Sequence, residues 1–351
     1  MNITVDELLS VAVKRGASDL HLTVGLSPAI RIDGVLIILD SYGPLTAPMV
    51  EKIAKPMVST LQWERFVSER ELDFAYEVAK IGRFRANLHW EKGVIGLVAR
   101  VIPARIPSLE DIGMPEIVYR LAREDQGLIL VTGPTGHGKS TTLAAMINLI
   151  NEERAAHIVT LEDPIEFLFE PKKSIVKQRQ LGTDMLSFAE GLKHVLRQDP
   201  NIIMVGEMRD LETISAAITI AETGHLVLAT LHTYSAAQTI DRIIDIFPPY
   251  QQQQVRLQVS MTMKGVISQR LVPRKTDGRV AVREVLINTP AVATLIRENK
   301  IAQIKTAIQT GAADGMRPLD QELIDLYKGG IIEKSIAARY MLNPERLDKE
   351  K

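Results

Sequence analysis

Two hydrophobic patterns divide this chain. In its first hundred residues, "DLHLTVG", "LDFAYEV" and "GRFRANLHW" alternate apolar and polar positions, which predicts half-buried strands. "VIGLVARVI" is a further strand. "AIRIDGVLIIL" reads as a hairpin turning at Asp33-Gly34, a pair that suits a two-residue turn. Helical spacing appears in Val5 to Lys14, in "TAPMVEKIAKPMVS" and in "LQWERFVSE". Residues 1–103 are therefore expected to form an α+β domain. Three prolines in "PARIPSLEDIGMP" disfavour a continuing helix or central strand, so an interdomain linker is expected over residues 104–115.

Beyond the linker the pattern changes. "GLILVT", "HIVTL", "NIIMVG" and "HLVLATL" are near-continuous apolar runs separated by helical stretches. Such runs suit strands buried on both faces of a parallel sheet. "GRVAVREVLI" is a further strand, and residues 289–340 read as mostly helical. A second, α/β domain is expected over residues 116–351.

Composition narrows the function classes. The 351 residues carry 42 basic and 43 acidic side chains, a net charge of −1. That balance disfavours a nucleic-acid motor, whose phosphate contacts need an excess of Lys and Arg. With no cysteine there is no disulfide and no thiolate zinc site. No apolar run approaches the roughly 18 residues of a membrane span, and "MNITVDELLS" lacks the order of a signal peptide. A cytoplasmic location is expected, with any membrane role mediated by a partner.

The chemistry begins at "GPTGHGKST", which fits G-x-x-x-x-G-K-[ST] between a strand and a helix. Gly133, Pro134, Thr135, Gly136, His137, Gly138, Lys139, Ser140 and Thr141 are the expected nucleotide-binding residues. Backbone N–H groups and the helix N-terminus would meet the phosphates. Lys139 would reach the β- and γ-phosphates of ATP, and Ser140 would ligate Mg²⁺. His137 would bind through its backbone, with its side chain expected to face solvent.

Two acidic groups follow strands. "TLEDPIEF" carries Glu162, Asp163 and Glu166, and "NIIMVGEMRD" carries Glu207. In doubly wound sheets, ligands bind beyond the carboxyl ends of the strands, so both groups should share an edge with the phosphate loop. A carboxylate there can orient or deprotonate water and support Mg²⁺, although a lone acidic residue after a strand is often a helix cap. Glu207 suits magnesium or water duty through an intervening water. In "HLVLATLHT", His225 and His232 lie roughly 23 Å apart if the strand is extended. His232, at the nucleotide edge, could sense the γ-phosphate. His225, at the opposite edge, is expected to be a structural or interface residue. Alternation along "GRFRANLHW" puts Arg83, Arg85, Asn87 and His89 on one face, with Arg100 on the next strand. An exposed arginine face is usually only solvated. The sharper reading sends these arginines to a neighbouring subunit's nucleotide.

Together these stretches resemble the hexameric secretion and pilus motor ATPases, above all the type IV pilus retraction ATPases, the PilT or twitching motility family. "GASDLHL", "TIDRIIDIFPP", "GVISQRLVP", "LIREN" and "IQTGAADGM" extend the resemblance along nearly the whole chain. It implies a PAS-like N-terminal domain joined to a RecA-like P-loop ATPase domain, in a homohexamer. It makes "TLEDPIEF" the Asp box with Glu166 as catalytic glutamate, and Glu207 the Walker B glutamate. It places His225 and His232 in the His box, and Arg83, Arg85 and Arg100 among the arginines acting across subunits. ATP turnover would rotate the domains, and an inner-membrane platform protein would convert that rotation into pilin removal. The chain departs from the resemblance at His137, where serine is usual. It also departs in the retraction motif A-I-R-N-L-I-R-E, here "AVATLIRE": Leu295, Ile296, Arg297 and Glu298 match, whereas Ala293 and Thr294 do not. An accessory retraction paralogue, a related secretion ATPase and a nucleotide-gated scaffold with little turnover are the alternatives. The assembly and type II secretion enzymes typically carry a tetracysteine zinc site, which is missing here.

Overall fold

The computed structural model describes residues 3–32, 34–79, 81–102, 105–276 and 278–349. The chain divides into two units. The first comprises Met1–Arg105 with Pro164–Leu168, and the second Ile106–Asp163 with Phe169–Lys351.

In the first unit the alternating stretches form strands β1 (Asp19–Leu22), β2 (Ala29–Ile32), β3 (Val35–Ile38), β4 (Glu71–Val78), β5 (Gly82–Glu91) and β6 (Val94–Ile102). They pair antiparallel in the order β3-β2-β1-β6-β5-β4. The β2–β3 pairing agrees with the expected hairpin, although Asp33 of its turn lies outside the described residues. Phe84, Ala86 and Leu88 on β5 are fully buried, and they pack in one core with Leu8 and Leu9 of helix Val5–Lys14 and with Phe66. The opposite face of β5 carries the arginines. Arg85 stands directly across from Arg100 on β6. Like charges in that position repel. Asp19, almost wholly buried on β1, accepts from Arg100 Nε at 2.8 Å and offsets the repulsion. Burial alone would raise the Asp19 carboxyl, but hydrogen bonds from Arg100 and Ser18 and the Arg100 charge outweigh it and hold it below the usual range.

The second unit contains β7 (Gly127–Thr132), β8 (His157–Glu162), β9 (Ile175–Gln180), β10 (Ile202–Val205), β11 (Leu226–Leu231), β12 (Met263–Pro273) and β13 (Arg279–Ile287). Their order is β13-β12-β7-β11-β10-β8-β9. All neighbours are parallel except β12 and β13. Every residue of β7, β10 and β11 is buried, as continuous apolar runs require when both faces of a sheet are covered. This is the RecA-like α/β architecture expected of the second domain.

The division between units differs from the expected linker. Residues 106–115 go with the second unit, where Leu109 and Met114 are buried. Arg283, 3% exposed, donates to the Ile112 and Gly113 carbonyls at 2.6 and 3.1 Å. Its own backbone N–H is accepted by the buried Glu322 at 2.9 Å. Proline-rich sequence is thus tied down by a buried cation, which composition cannot reveal. The segment Pro164–Leu168 also departs from expectation, because it groups with the first unit.

Removing Arg283 takes away its bonds to the Ile112 and Gly113 carbonyls and leaves the buried Glu322 with Arg317 as its remaining cation. Arg283→Met should cost about 1.5–3 kcal/mol, read as a lower urea midpoint, and should open residues 106–115 to proteolysis. A variant as stable as wild type would rule out Arg283 as the tether.

Candidate functional site

The carboxyl ends of β7, β11 and β10 emerge side by side. Register pairs Thr132 with Leu231 and Val205 with Ala229. The next residues along each strand are therefore Gly133, His232 and, after Gly206, Glu207, all on one edge of the second unit's sheet. The Met208 N–H, bonded to the Thr230 carbonyl at 3.0 Å, holds Glu207 beside the end of β11.

The loop after β7 turns through glycines. Gly133 has φ +143° and Gly138 φ +81°, conformations L side chains rarely adopt. At Gly133 a Cβ would also collide with the backbone carbonyl of Gln269, because β12 runs on past the end of β7. The chain then enters helix Lys139–Glu153, whose first N–H groups have no partner within the helix. Lys139 is buried, and its Nζ donates to the Gly133 and Pro134 carbonyls at 2.9 and 3.0 Å. A concave loop of this kind, closed by a helix N-terminus and a lysine, suits phosphate oxygens.

His232 links the loop to the carboxylate. Its Nδ1 lies 3.3 Å from Thr135 Oγ1, and its Nε2 lies 3.3 Å from Glu207 Oε2. Glu207 is further held by Arg209, whose Nη2 is 2.6 Å from Oε1. An imidazole bonded on both sides can register a change at the loop and pass it to the carboxylate.

The remaining candidates are placed differently. Glu162 is buried and accepts from Thr160 Oγ1 at 2.6 Å and Gln178 Nε2 at 3.0 Å, whereas Asp163 is exposed. Glu166 lies in Pro164–Leu168 and so groups with the first unit, as do Arg83, Arg85 and Arg100. Arg100 is engaged with Asp19. His225 stays at the amino end of β11, its Nδ1 3.1 Å from Thr223 Oγ1 and 3.3 Å from the Ile220 carbonyl, a local contact closing helix Leu211–Glu222. In helix Pro290–Arg297, Ile296 is buried and Leu295 is partly buried against the core. Arg297 and Glu298 are exposed, Arg297 donating to Thr294 Oγ1 at 3.0 Å and Glu298 pairing with Lys300 at 2.7 Å.

His137 does not point into solvent as expected. It is half-buried, and its Nδ1 accepts the Leu271 N–H at 2.9 Å. Gln269 was not singled out from the sequence. It is 2% exposed, donates to the His137 carbonyl at 2.7 Å and accepts from Thr142 Oγ1 at 2.8 Å. The available signal was "SQR" interrupting an otherwise apolar strand in "GVISQRLVP".

Comparison with known proteins places this geometry among relatives. A family model described as "Type II/IV secretion system protein" matches residues 1–276. "Type IV pilus retractation ATPase PilT" of Pseudomonas aeruginosa is 47% identical over 345 residues, covering 98% of this chain and 99% of the relative. "Twitching motility protein" of Neisseria gonorrhoeae is 46% identical over 322 residues, covering 92% and 86%. A crystal structure of "the Pilus Retraction Motor PilT and Bound ADP" superimposes with a TM-score of 0.93 at 45% identity, covering 99% of both chains.

The loop's geometry predicts a graded response to alanine. Gly133→Ala meets both backbone strain and the Gln269 carbonyl, while at Gly136 there is positive φ but open space. Each strained residue costs about 1–3 kcal/mol, so thermal unfolding should show Gly133→Ala below Gly136→Ala, and both below wild type. Equal midpoints for the two variants would contradict the close passage of β12.

Proposed function

The chain belongs to the type II/IV secretion system protein family, and we propose that it is a motor ATPase coupling ATP hydrolysis to type IV pilus retraction. The observation that carries this reading is the pair of contacts made by His232, to Thr135 in the loop and to Glu207 beyond β10. Similarity at 47% identity over nearly the full length supports the retraction role.

In this reading the backbone N–H groups of Gly136 to Ser140 and the Lys139 ammonium hold the β- and γ-phosphates. Lys139 needs little reorganisation, because carbonyls already confine its Nζ to the loop. Glu207 orients water for attack on the γ-phosphorus, and His232 senses the γ-phosphate between Thr135 and Glu207. Glu166, as the catalytic glutamate, and Arg83, Arg85 and Arg100 act from N-terminal units, the arginines across subunits of a homohexamer. Among the described residues no group of three or more His, Cys, Asp or Glu could cage a metal. The oxygen donors Ser140, at the start of helix Lys139–Glu153, and Glu207 suit Mg²⁺, which keeps several waters and takes phosphate oxygens alongside few protein ligands. Ser140 would hold the ion directly and Glu207 through water, and the ion would supply neutralisation of phosphate charge. Among the described residues no helix is long and apolar enough to cross a membrane. The protein is proposed to work at the inner face of the cytoplasmic membrane by docking on a platform protein there.

One observation favours a second reading, an accessory retraction motor. Ala293 and Thr294 stand where the retraction motif has Arg and Asn, and both are only partly covered. The exposed side of that helix thus presents less charge and hydrogen-bonding capacity to a partner.

Glu207→Gln should lower kcat about 10²- to 10³-fold, in the range of lost general-base catalysis, while nucleotide still binds in calorimetry. Cells carrying it should accumulate surface pili and lose twitching. Loss of pili would instead indicate assembly, and undiminished turnover would remove Glu207 from the mechanism.

A further inference from the structure

The ladder between β7 and β12 ends at the pair Thr132–Ser268. From Gln269 onward β12 continues while its neighbour turns away into the loop. Backbone donors on that edge then need other partners, since an unpaired buried N–H is costly. The structure supplies them from the loop itself. The Leu271 N–H donates to His137 Nδ1, and the amide of Gln269 bridges the His137 carbonyl and Thr142 Oγ1. The apex of the loop is thus fastened to β12 by side chain and backbone of one residue.

We propose that His137 is a positioning residue for nucleotide binding: through Nδ1 it fixes the loop apex onto β12 and pre-orients the N–H groups that meet the phosphates. The inference rests on the reading of this loop as the phosphate site. Preorganisation of this kind improves affinity by lowering the ordering cost of binding. The contact needs the neutral tautomer with its proton on Nε2, because a protonated ring has a donor at both nitrogens. Burial, followed by the cations Arg279 on β13, Lys139 on the following helix and Arg270 on β12, disfavours the charged ring and depresses its pKa. The contact is therefore complete above the ordinary histidine range near 6.5 and is lost as pH falls through the lower folded value.

The acceptor can be removed or preserved selectively. In asparagine, Oδ1 falls close to the position of Nδ1, whereas glutamine reaches toward Nε2 instead. At pH 7.5 His137→Ala should raise the KM for ATP about 3- to 10-fold, with kcat within twofold and a modestly lower thermal midpoint from the unpaired Leu271 N–H. His137→Asn should recover most of the loss and His137→Gln little of it. Between pH 7.5 and 5.5 the ratio of wild-type KM to His137→Asn KM should rise as pH falls. An alanine variant with wild-type KM, or equal rescue by Asn and Gln, would overturn the proposal. Lys139→Ala tests the underlying reading separately: if it still binds ATP, the phosphate site itself is misassigned.

Discussion

The passage of β12 over Gly133 is the constraint on which the candidate site at this sheet edge depends. β7 must stop and turn while β12 carries on, and the Gln269 carbonyl lies where a Cβ of residue 133 would stand. Only glycine satisfies both that contact and a φ of +143°. With that turn made, Lys139 can fold its ammonium back onto the Gly133 and Pro134 carbonyls, and the helix N-terminus faces the space the loop encloses. The same turn brings Thr135 beside His232 on the adjacent strand end.

Around this point the second unit is unusually polar for a sheet interior. Thr132 Oγ1 lies 2.8 Å from Ser268 Oγ, and Thr233 Oγ1 lies 2.6 Å from Thr239 Oγ1, all four residues buried. Thr239 also reaches the Ser235 carbonyl at 2.8 Å, and the buried Glu284 accepts the Ala236 N–H at 2.8 Å. These bonds, together with Thr239 Oγ1 lying 3.5 Å from Thr132 Oγ1, fasten the segment that follows His232 to β7 and to the edge strand β13. Satisfied buried networks rigidify what they join, so the histidine sits on a firm support between the loop and Glu207.

Much of this was legible in the chain. Continuous apolar runs identified the buried parallel strands, period-two alternation identified the core face of β5, and the spacing of glycines, lysine and serine located the turning loop after β7. Strand ends located Glu207 and His232 on one edge because topology fixes where the carboxyl ends of parallel strands emerge. Less visible was the fate of "PARIPSLEDIGMP", whose prolines signal a break in regular structure but not the Arg283 that anchors residues 106–115. Nor could the pattern show that Leu295 and Ile296 face the core, since an amphipathic motif reads the same whether its apolar side packs inward or awaits a partner.

The sequence by itself determined the two-part architecture, the glycine-rich loop after β7 and the strand-end carboxylates, because these follow from local periodicity and from residue types with few conformational alternatives. Only the tertiary structure decided the placement of His137 and Gln269, which contact each other across 132 residues of chain. It also decided the grouping of Glu166 with the first unit. Contacts over such separations depend on which strands become neighbours, and sheet order is set by the packing of the whole core rather than by any short stretch. His137, which by its position in the motif needed to offer only its backbone, is tied to β12 for that reason.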